Sequence, residues 1–196
     1  CGVFIVGSSS LLTLLQSIPP YWEAGRIVFH ERMGDPTNPE GEAQLKRQSP
    51  LFSVDKIKVP LMVVQGANDP RVKKAESDQI VIAMREKKLP VEYICAPDEG
   101  HGFARPVNNM AFLAAAEKFL AAHLGGRYQS EIPAPIATRL KEITVDINTV
   151  SLVEKIDPSK LNLATASRSL QAGKYEYSVN LDAMGHKMDF PQNIEV

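Results

Sequence analysis

Cysteine is nearly absent from this chain. Cys1 and Cys95 are the only two in 196 residues, which excludes a disulfide framework. Cys95 falls inside an apolar run, where a thiol packs as a small hydrophobe, so a reduced structural role is expected. Long hydrophobic runs are also missing: no stretch approaches the roughly 18 apolar residues that a membrane-spanning helix needs. Excess charge of either sign is lacking, with 22 Lys and Arg against 23 Asp and Glu. That balance gives no reason to expect nucleic acid or an anionic membrane as partner. None of the four histidines stands at ligand spacing from cysteine or carboxylates, so neither a metal nor a cofactor is expected. No signal-peptide pattern is visible, and the chain starts at Cys1 in a strand-like run, so further sequence is expected upstream. The absence with the most chemical weight is a Gly-x-Ser-x-Gly segment. Gly7-Ser8-Ser9-Ser10-Leu11 stands between a strand and a helix, the right context for a nucleophile elbow. Leu11, however, occupies the position where glycine lets helix and strand approach, and Ser9 is rejected as nucleophile.

What is present is an alternation of short apolar runs and helical patterns. Gly2 to Val6, Val59 to Gln65 and Val91 to Ala96 read as buried parallel strands. Leu11 to Gln16 reads as a short helix stopped by Pro19-Pro20. Tyr21 to Met33 and Glu40 to Arg47 read as helical, and Ser49 to Lys58 as a connector. A helix is expected to start near Pro70 or Arg71 and to end before Leu89-Pro90. Another covers Asn108 to Leu124, with Leu113, Ala116, Leu120 and Leu124 on one face, Phe112 and Phe119 beside it, and Gly125-Gly126 as its stop. Strand, helix, strand, helix with short connections means an α/β parallel sheet with flanking helices. After about Tyr128 the pattern fades. Ile132-Pro133-Ala134-Pro135 is read as breaking any helix, Lys174 to Asp182 as one alternating strand, Gly185 as a turn, and 189–196 as unpatterned. The expected organisation is a partial α/β domain over 1–128 and an irregular extension over 129–196 that holds one hairpin or edge strand.

Two segments carry chemistry. Gly66-Ala67-Asn68-Asp69-Pro70-Arg71-Val72 ends one strand, and Asp98-Glu99-Gly100-His101-Gly102-Phe103 follows the next. An acid at a strand end can fix one imidazole nitrogen so that the other takes a proton from a nucleophile. Strand ends of open α/β sheets line the ligand crevice. Asp69 and His101 are therefore the candidate catalytic pair, in the chain order of an α/β-hydrolase. Asp69 as a mere helix cap and Asp98 as a rival partner of His101 are the alternatives. His30, His123 and His186 are expected to be solvated.

With the strand Val6-Gly7-Ser8-Ser9-Ser10-Leu11, the segments Pro19-Pro20-Tyr21-Trp22-Glu23 and Ser49-Pro50-Leu51-Phe52, the Gly66–Val72 loop and the His101 loop, residues 1–128 resemble the prolyl oligopeptidase family of serine peptidases. They look like the C-terminal half of its α/β-hydrolase domain, with acylaminoacyl and dipeptidyl peptidases most similar. The resemblance implies a nucleophilic serine on a strand upstream of Cys1, and an N-terminal β-propeller, neither of them in this chain. It implies that Asp69 and His101 are the triad acid and base, and that Arg71 holds a backbone carbonyl of a peptide substrate. It also implies that Val72, Trp22 and Phe29 line the pocket for the residue before the scissile bond, with plain helix packing as the alternative for the two aromatics. The expected function is a fragment of a peptidase acting on short peptides, inactive alone. An esterase fragment and a non-catalytic interaction module are the other readings; Arg71 favours a peptide, because a small ester offers no second carbonyl. The tail strand is expected to pair with the propeller or with a second subunit of a homo-oligomer.

Overall fold

A computed structural model describes residues 1–152, 174–183 and 186–195. The chain divides into two units, Cys1–Val153 and Glu154–Val196.

The first unit is built on three parallel strands, β1 (Gly2–Ile5), β2 (Leu61–Gly66) and β3 (Val91–Ala96), in the order β1-β2-β3. Phe4 pairs with Val63 and Val63 with Tyr93. The central strand begins at Leu61 and not at Val59, since Pro60 has no N–H to give a ladder and Val59 is exposed. Its side chains alternate between two cores. Val63, Tyr93 and Cys95 face Ile80, Val81 and Met84 of α4 (Lys74–Glu86). Met62, Val64, Ile94 and Ala96 face Ala111, Ala116 and Phe119 of α5 (Pro106–Leu124). A strand buried on both faces reads as a continuous apolar run, and each such side chain contributes about 1.5–3 kcal/mol. The expected α/β sheet with flanking helices is present.

Local chemistry sets the helix limits. Ser10 caps α1 (Leu11–Gln16), and Asn38 caps α3 (Pro39–Gln48) by accepting from Gly41 N–H at 2.8 Å. The helical stretch expected over Tyr21 to Met33 is a 3-10 turn, Pro20–Gly25, followed by α2 (Arg26–Met33). The connector after Ser49 is a 3-10 helix, Pro50–Lys56. Helix α4 starts at Lys74, later than expected, because the N–H groups of Arg71 and Val72 are engaged by the Asp69 side chain. In α5 the expected face holds only in part: Ala116 and the neighbouring Phe119 are in the core, the three leucines are not. Leu113, Leu120 and Leu124 are exposed, while Asn108, Ala111, Ala116 and Phe119 are buried. The helix is apolar on every side, so its periodicity does not choose a face.

Past the boundary expected at 128 the first unit continues. The Ile132–Pro135 segment starts a helix where a break was expected. α6 spans Ala134–Ile143, with Pro135 in its first turn, where a missing N–H costs nothing. Ile136, Leu140 and Ile143 pack into the α5 side of the core. Thr144 then bridges to Ile94, Val145 N–H donates to Tyr93 carbonyl at 2.9 Å, and Arg85 Nη1 donates to the carbonyls of Ile147 and Val150.

In the second unit β4 (Lys174–Ala183) pairs antiparallel with β5 (His186–Glu195), Val179 opposite Phe190, as a separate two-stranded sheet. The expected strand over Lys174 to Asp182 is there, but its partner is the segment read as unpatterned. For Tyr175, Tyr177, Val179, Leu181 and His186 the structure describes backbone pairing alone, and the turn at Gly185 lies outside the described residues.

Candidate active site

Asp69 and His101 meet. His101 Nδ1 is 2.8 Å from Asp69 Oδ2. The Asp69 side chain has no exposed surface, and that of His101 is 31% exposed. Asp69 is met by N–H donors on both oxygens. Oδ1 accepts from the backbone of Arg71 (2.8 Å) and Val72 (3.0 Å), and Oδ2 from His101 and, at 3.4 Å, from Gln65 Nε2. A carboxylate accepts only, so this arrangement places the imidazole proton on Nδ1 and leaves Nε2 with its lone pair outward. The capping alternative is half true: one oxygen of Asp69 organises the turn that follows, the other holds the histidine.

The two loops are keyed together by backbone. Asn68 N–H donates to Glu99 carbonyl at 2.9 Å, Ala67 N–H to Ala96 carbonyl at 2.9 Å, and Asn68 Nδ2 to Pro97 carbonyl at 2.6 Å. Gly66 passes against the Gly100 backbone so closely that a Cβ would lie 2.1 Å from Gly100 carbonyl oxygen. Gly102, at φ +111, lets the chain reverse directly after His101.

Asp98 is not the partner of His101. Its carboxylate is bound by Arg139 Nη2, by Asn108 Nδ2 at 3.1 Å and by Arg105 Nε at 3.2 Å. Desolvation pushes Asp98 up, but the Asn108 hydrogen bond, its own backbone N–H and the charges of Arg139 and Arg105 outweigh it and hold the carboxyl below its usual range. Glu99, buried, is likewise desolvated, yet is held low by Asn108 and by the N–H groups of Arg105 and Ala104.

The other candidates lie as follows. Arg71 is exposed, and among the described residues its guanidinium makes no hydrogen bond or ion pair. Val72 is 9% exposed, and what it gives the site is its backbone, N–H to Asp69 and carbonyl to Gln65 Nε2. Trp22 packs against Phe29 at 5.9 Å and against Tyr21 at 6.0 Å, an aromatic cluster of its own. Ser9 is fully buried and its Oγ donates to Glu76 carbonyl at 2.6 Å, so it cannot serve His101. Instead, the buried Glu76 carboxylate gathers the Ser8–Ser10 loop through the N–H groups of Ser9 (3.0 Å) and Ser10 (2.9 Å). A cavity of about 460 Å³ lined by Val91, Tyr93, Phe119, Leu140 and Val145 contains neither Asp69 nor His101. Of the other histidines, His30 and its Asp35 partner are 3.4 Å apart, and His123 stacks edge-on against Phe119. Among the described residues no cluster of three metal-ligating side chains occurs, and no helix is long and apolar enough to cross a membrane.

Sequence reasoning passed over Gln65, Glu99, Asn108 and Arg139. Gln65 carried a signal: a polar residue at the end of a strand buried on both faces must have partners, and it has Gly66 carbonyl, Val72 carbonyl and Ser77 Oγ. Arg139 carried none, because its helix was not foreseen.

The prolyl oligopeptidase family pattern matches residues 20–127. The chain belongs to that family. It is 59% identical over 127 residues to dipeptidyl aminopeptidase BIII of Pseudoxanthomonas mexicana, covering 65% of this chain and 18% of that protein. It is 40% identical over 182 residues to dipeptidyl peptidase family member 6 of Caenorhabditis elegans, covering 92% of this chain and 23% of that protein. The chain thus spans about a fifth of the length of these relatives. Among solved structures it is similar to a Mycobacterium tuberculosis puromycin-hydrolyzing peptidase, with TM-score 0.57 and 26% identity over 64% of this chain and 18% of that one. It also shares the fold of the Pyrococcus horikoshii acylaminoacyl peptidase, with TM-score 0.56 and 21% identity over 71% of this chain and 22% of that one. This prolyl oligopeptidase-family chain carries a parallel α/β-hydrolase sheet, and the family is one of peptidases.

Proposed function

We propose that this chain supplies the acid and the base of a serine peptidase, with the nucleophile and oxyanion hole on a segment outside these 196 residues. The observation that carries the reading is the 2.8 Å contact between His101 Nδ1 and a buried Asp69. In the reaction, His101 Nε2 takes the proton of the serine hydroxyl as it attacks the peptide carbonyl, then returns it to the leaving amine. Asp69 keeps the imidazole in that tautomer and stabilises the imidazolium. Arg71, two residues after the acid and with its guanidinium free of partners among the described residues, donates to a substrate carbonyl. β1 pairs on one side only among the described residues, which leaves an edge for the nucleophile strand. One relative is called a dipeptidyl aminopeptidase and the other a dipeptidyl peptidase family member, which favours dipeptide-releasing chemistry for the parent protein.

The test is steady-state kinetics of the parent protein on a dipeptidyl chromogenic amide. Asp69→Asn and His101→Ala should each lower kcat by about a thousandfold or more, as members of a triad act as a unit. Asp98→Asn should cost far less, and equal damage at Asp98 would give the role of acid to the wrong residue. The 196-residue chain alone should not react with a fluorophosphonate serine probe. Labelling abolished by Ser9→Ala would overturn the external nucleophile.

A further inference from the structure

Residues on both sides of His101 are gathered by side chains from two helices, one of which lies outside the family-matched segment. Glu99 accepts from Ala104 N–H at 3.0 Å and Arg105 N–H at 2.8 Å, closing the loop across its base. Asn108, fully buried at the start of α5, donates through Nδ2 to Glu99 Oε1 at 2.8 Å and to Asp98 Oδ1 at 3.1 Å. Its Oδ1 in turn accepts from Arg139 Nε at 2.6 Å, while Arg139 Nη2 pairs with Asp98 and Nη1 with Glu142 at 2.9 Å. Arg139 is 19% exposed and stands on α6, beyond residue 127 where the family match ends.

We propose that Arg139 is a positioning residue for His101, holding the 98–105 loop so that the imidazole stays on Asp69 with Nε2 directed outward. A guanidinium is a planar fork with donors at fixed angles, so it can hold Asp98 and Asn108 at once. Asn108 passes that constraint to Glu99, and Glu99 to the backbone after His101. A lysine could reach Asp98 as a point charge but could not also serve Asn108 in the same plane. The docking of α6 therefore has a catalytic consequence that packing of Ile136, Leu140 and Ile143 alone would not give it. The inference rests on the reading of Asp69 and His101 as the acid and base.

The experiment compares wild-type parent protein with Arg139→Gln, Arg139→Lys and His101→Ala, measuring kcat, KM and Tm separately. Because displacements of about an ångström at a reacting group can cost about a hundredfold, a partial loosening is expected to lower kcat about tenfold in Arg139→Gln. KM should stay within about twofold, measured well below Tm, and Arg139→Lys should recover part of the loss. The low-field proton resonance of His101 Nδ1 should broaden in Arg139→Gln. A lowered Tm with kcat unchanged would make Arg139 a purely structural residue and overturn the proposal. If Arg139→Gln does not fold, Arg139→Lys decides alone: reduced kcat at unchanged KM supports the role and wild-type kcat refutes it. Full activity in His101→Ala would instead overturn the acid–base reading itself, whatever Arg139 does.

Discussion

Gly66→Ala is the most demanding substitution this structure offers. Gly66 ends β2 and its backbone is in an ordinary extended conformation, so alanine is not conformationally forbidden there. The obstacle is space. The added Cβ would lie 2.1 Å from Gly100 carbonyl oxygen and 2.7 Å from the Glu99 carbonyl carbon and oxygen, all backbone atoms that cannot rotate away. Ordinary contact begins at 3.4 Å, so the His101 loop must retreat by about 1.3 Å (3.4 − 2.1). The retreat pulls on the hydrogen bonds from Asn68 to Glu99 and Pro97, and it moves the residue directly before His101. A misplacement of about 1 Å is worth about a hundredfold in rate, so kcat/KM of the parent protein should fall about a hundredfold, or ~2.7 kcal/mol. Overpacking should lower stability by about 1–3 kcal/mol besides. Gly100→Ala is the control on the same contact: its Cβ would meet only Pro70 Cδ, at 4.0 Å, and should cost far less. The assay is kcat/KM for a dipeptidyl amide, with circular dichroism to show that each variant is folded. A folded Gly66→Ala protein within threefold of wild type, or equal losses at both glycines, would refute the reasoning.

Arg71→Ala should reduce kcat/KM for peptides about 10- to 150-fold, the loss of a charge-assisted hydrogen bond of about 1.5–3 kcal/mol, while small activated esters are spared. Equal losses on both substrate types would remove Arg71 from substrate binding. A further prediction concerns alkaline stability. Burial first, then the neighbouring Cys95 and Asp78, push the Tyr93 phenol far above its ordinary 10.0. Its folded pKa is thus raised, so the stability it confers is complete below about pH 10 and is lost as pH rises beyond, by about 1.4 kcal/mol per pH unit. Urea midpoints followed from pH 9 to 11.5 should show that slope, and Tyr93→Phe should flatten it; an unchanged slope would refute the assignment.

How much of this was legible follows from the kind of signal each element carries. β2 and β3 were plain because a strand buried on both faces has to be a short unbroken apolar run, as Met62-Val63-Val64 and Tyr93-Ile94-Cys95 are. The Asp69 and His101 loops were plain because glycines and a strand end mark them. Choosing Asp69 over Asp98 needed no geometry, but seeing why Asp98 is occupied did. Helix α5 was placed correctly but its face only in part: Ala116 and Phe119 are buried, while Leu113, Leu120 and Leu124, just as apolar, are not. Helix α6 was missed because two prolines were weighed as breakers, although in a first turn they initiate. With α6 went Arg139, and with it the clamp on the His101 loop. The late start of α4 was hidden for a related reason: Asp69 draws two backbone N–H groups into a turn, a competition invisible to helical periodicity.

The segment after α6 also decides where this protein can be cut for expression. Thr144 and Val145 run along the outer backbone of β3, and Arg85 anchors the continuation through Ile147 and Val150. A shortened version ending at residue 127, where the match to the family pattern ends, would strip that cover. It would bare the free carbonyl of Tyr93 and the apolar flank of Ile94 and Phe119. An uncovered strand edge beside an apolar flank is a template for chain-to-chain pairing. A boundary placed after Val150 keeps the edge sealed, so solubility here is decided by a stretch that lies beyond the family pattern.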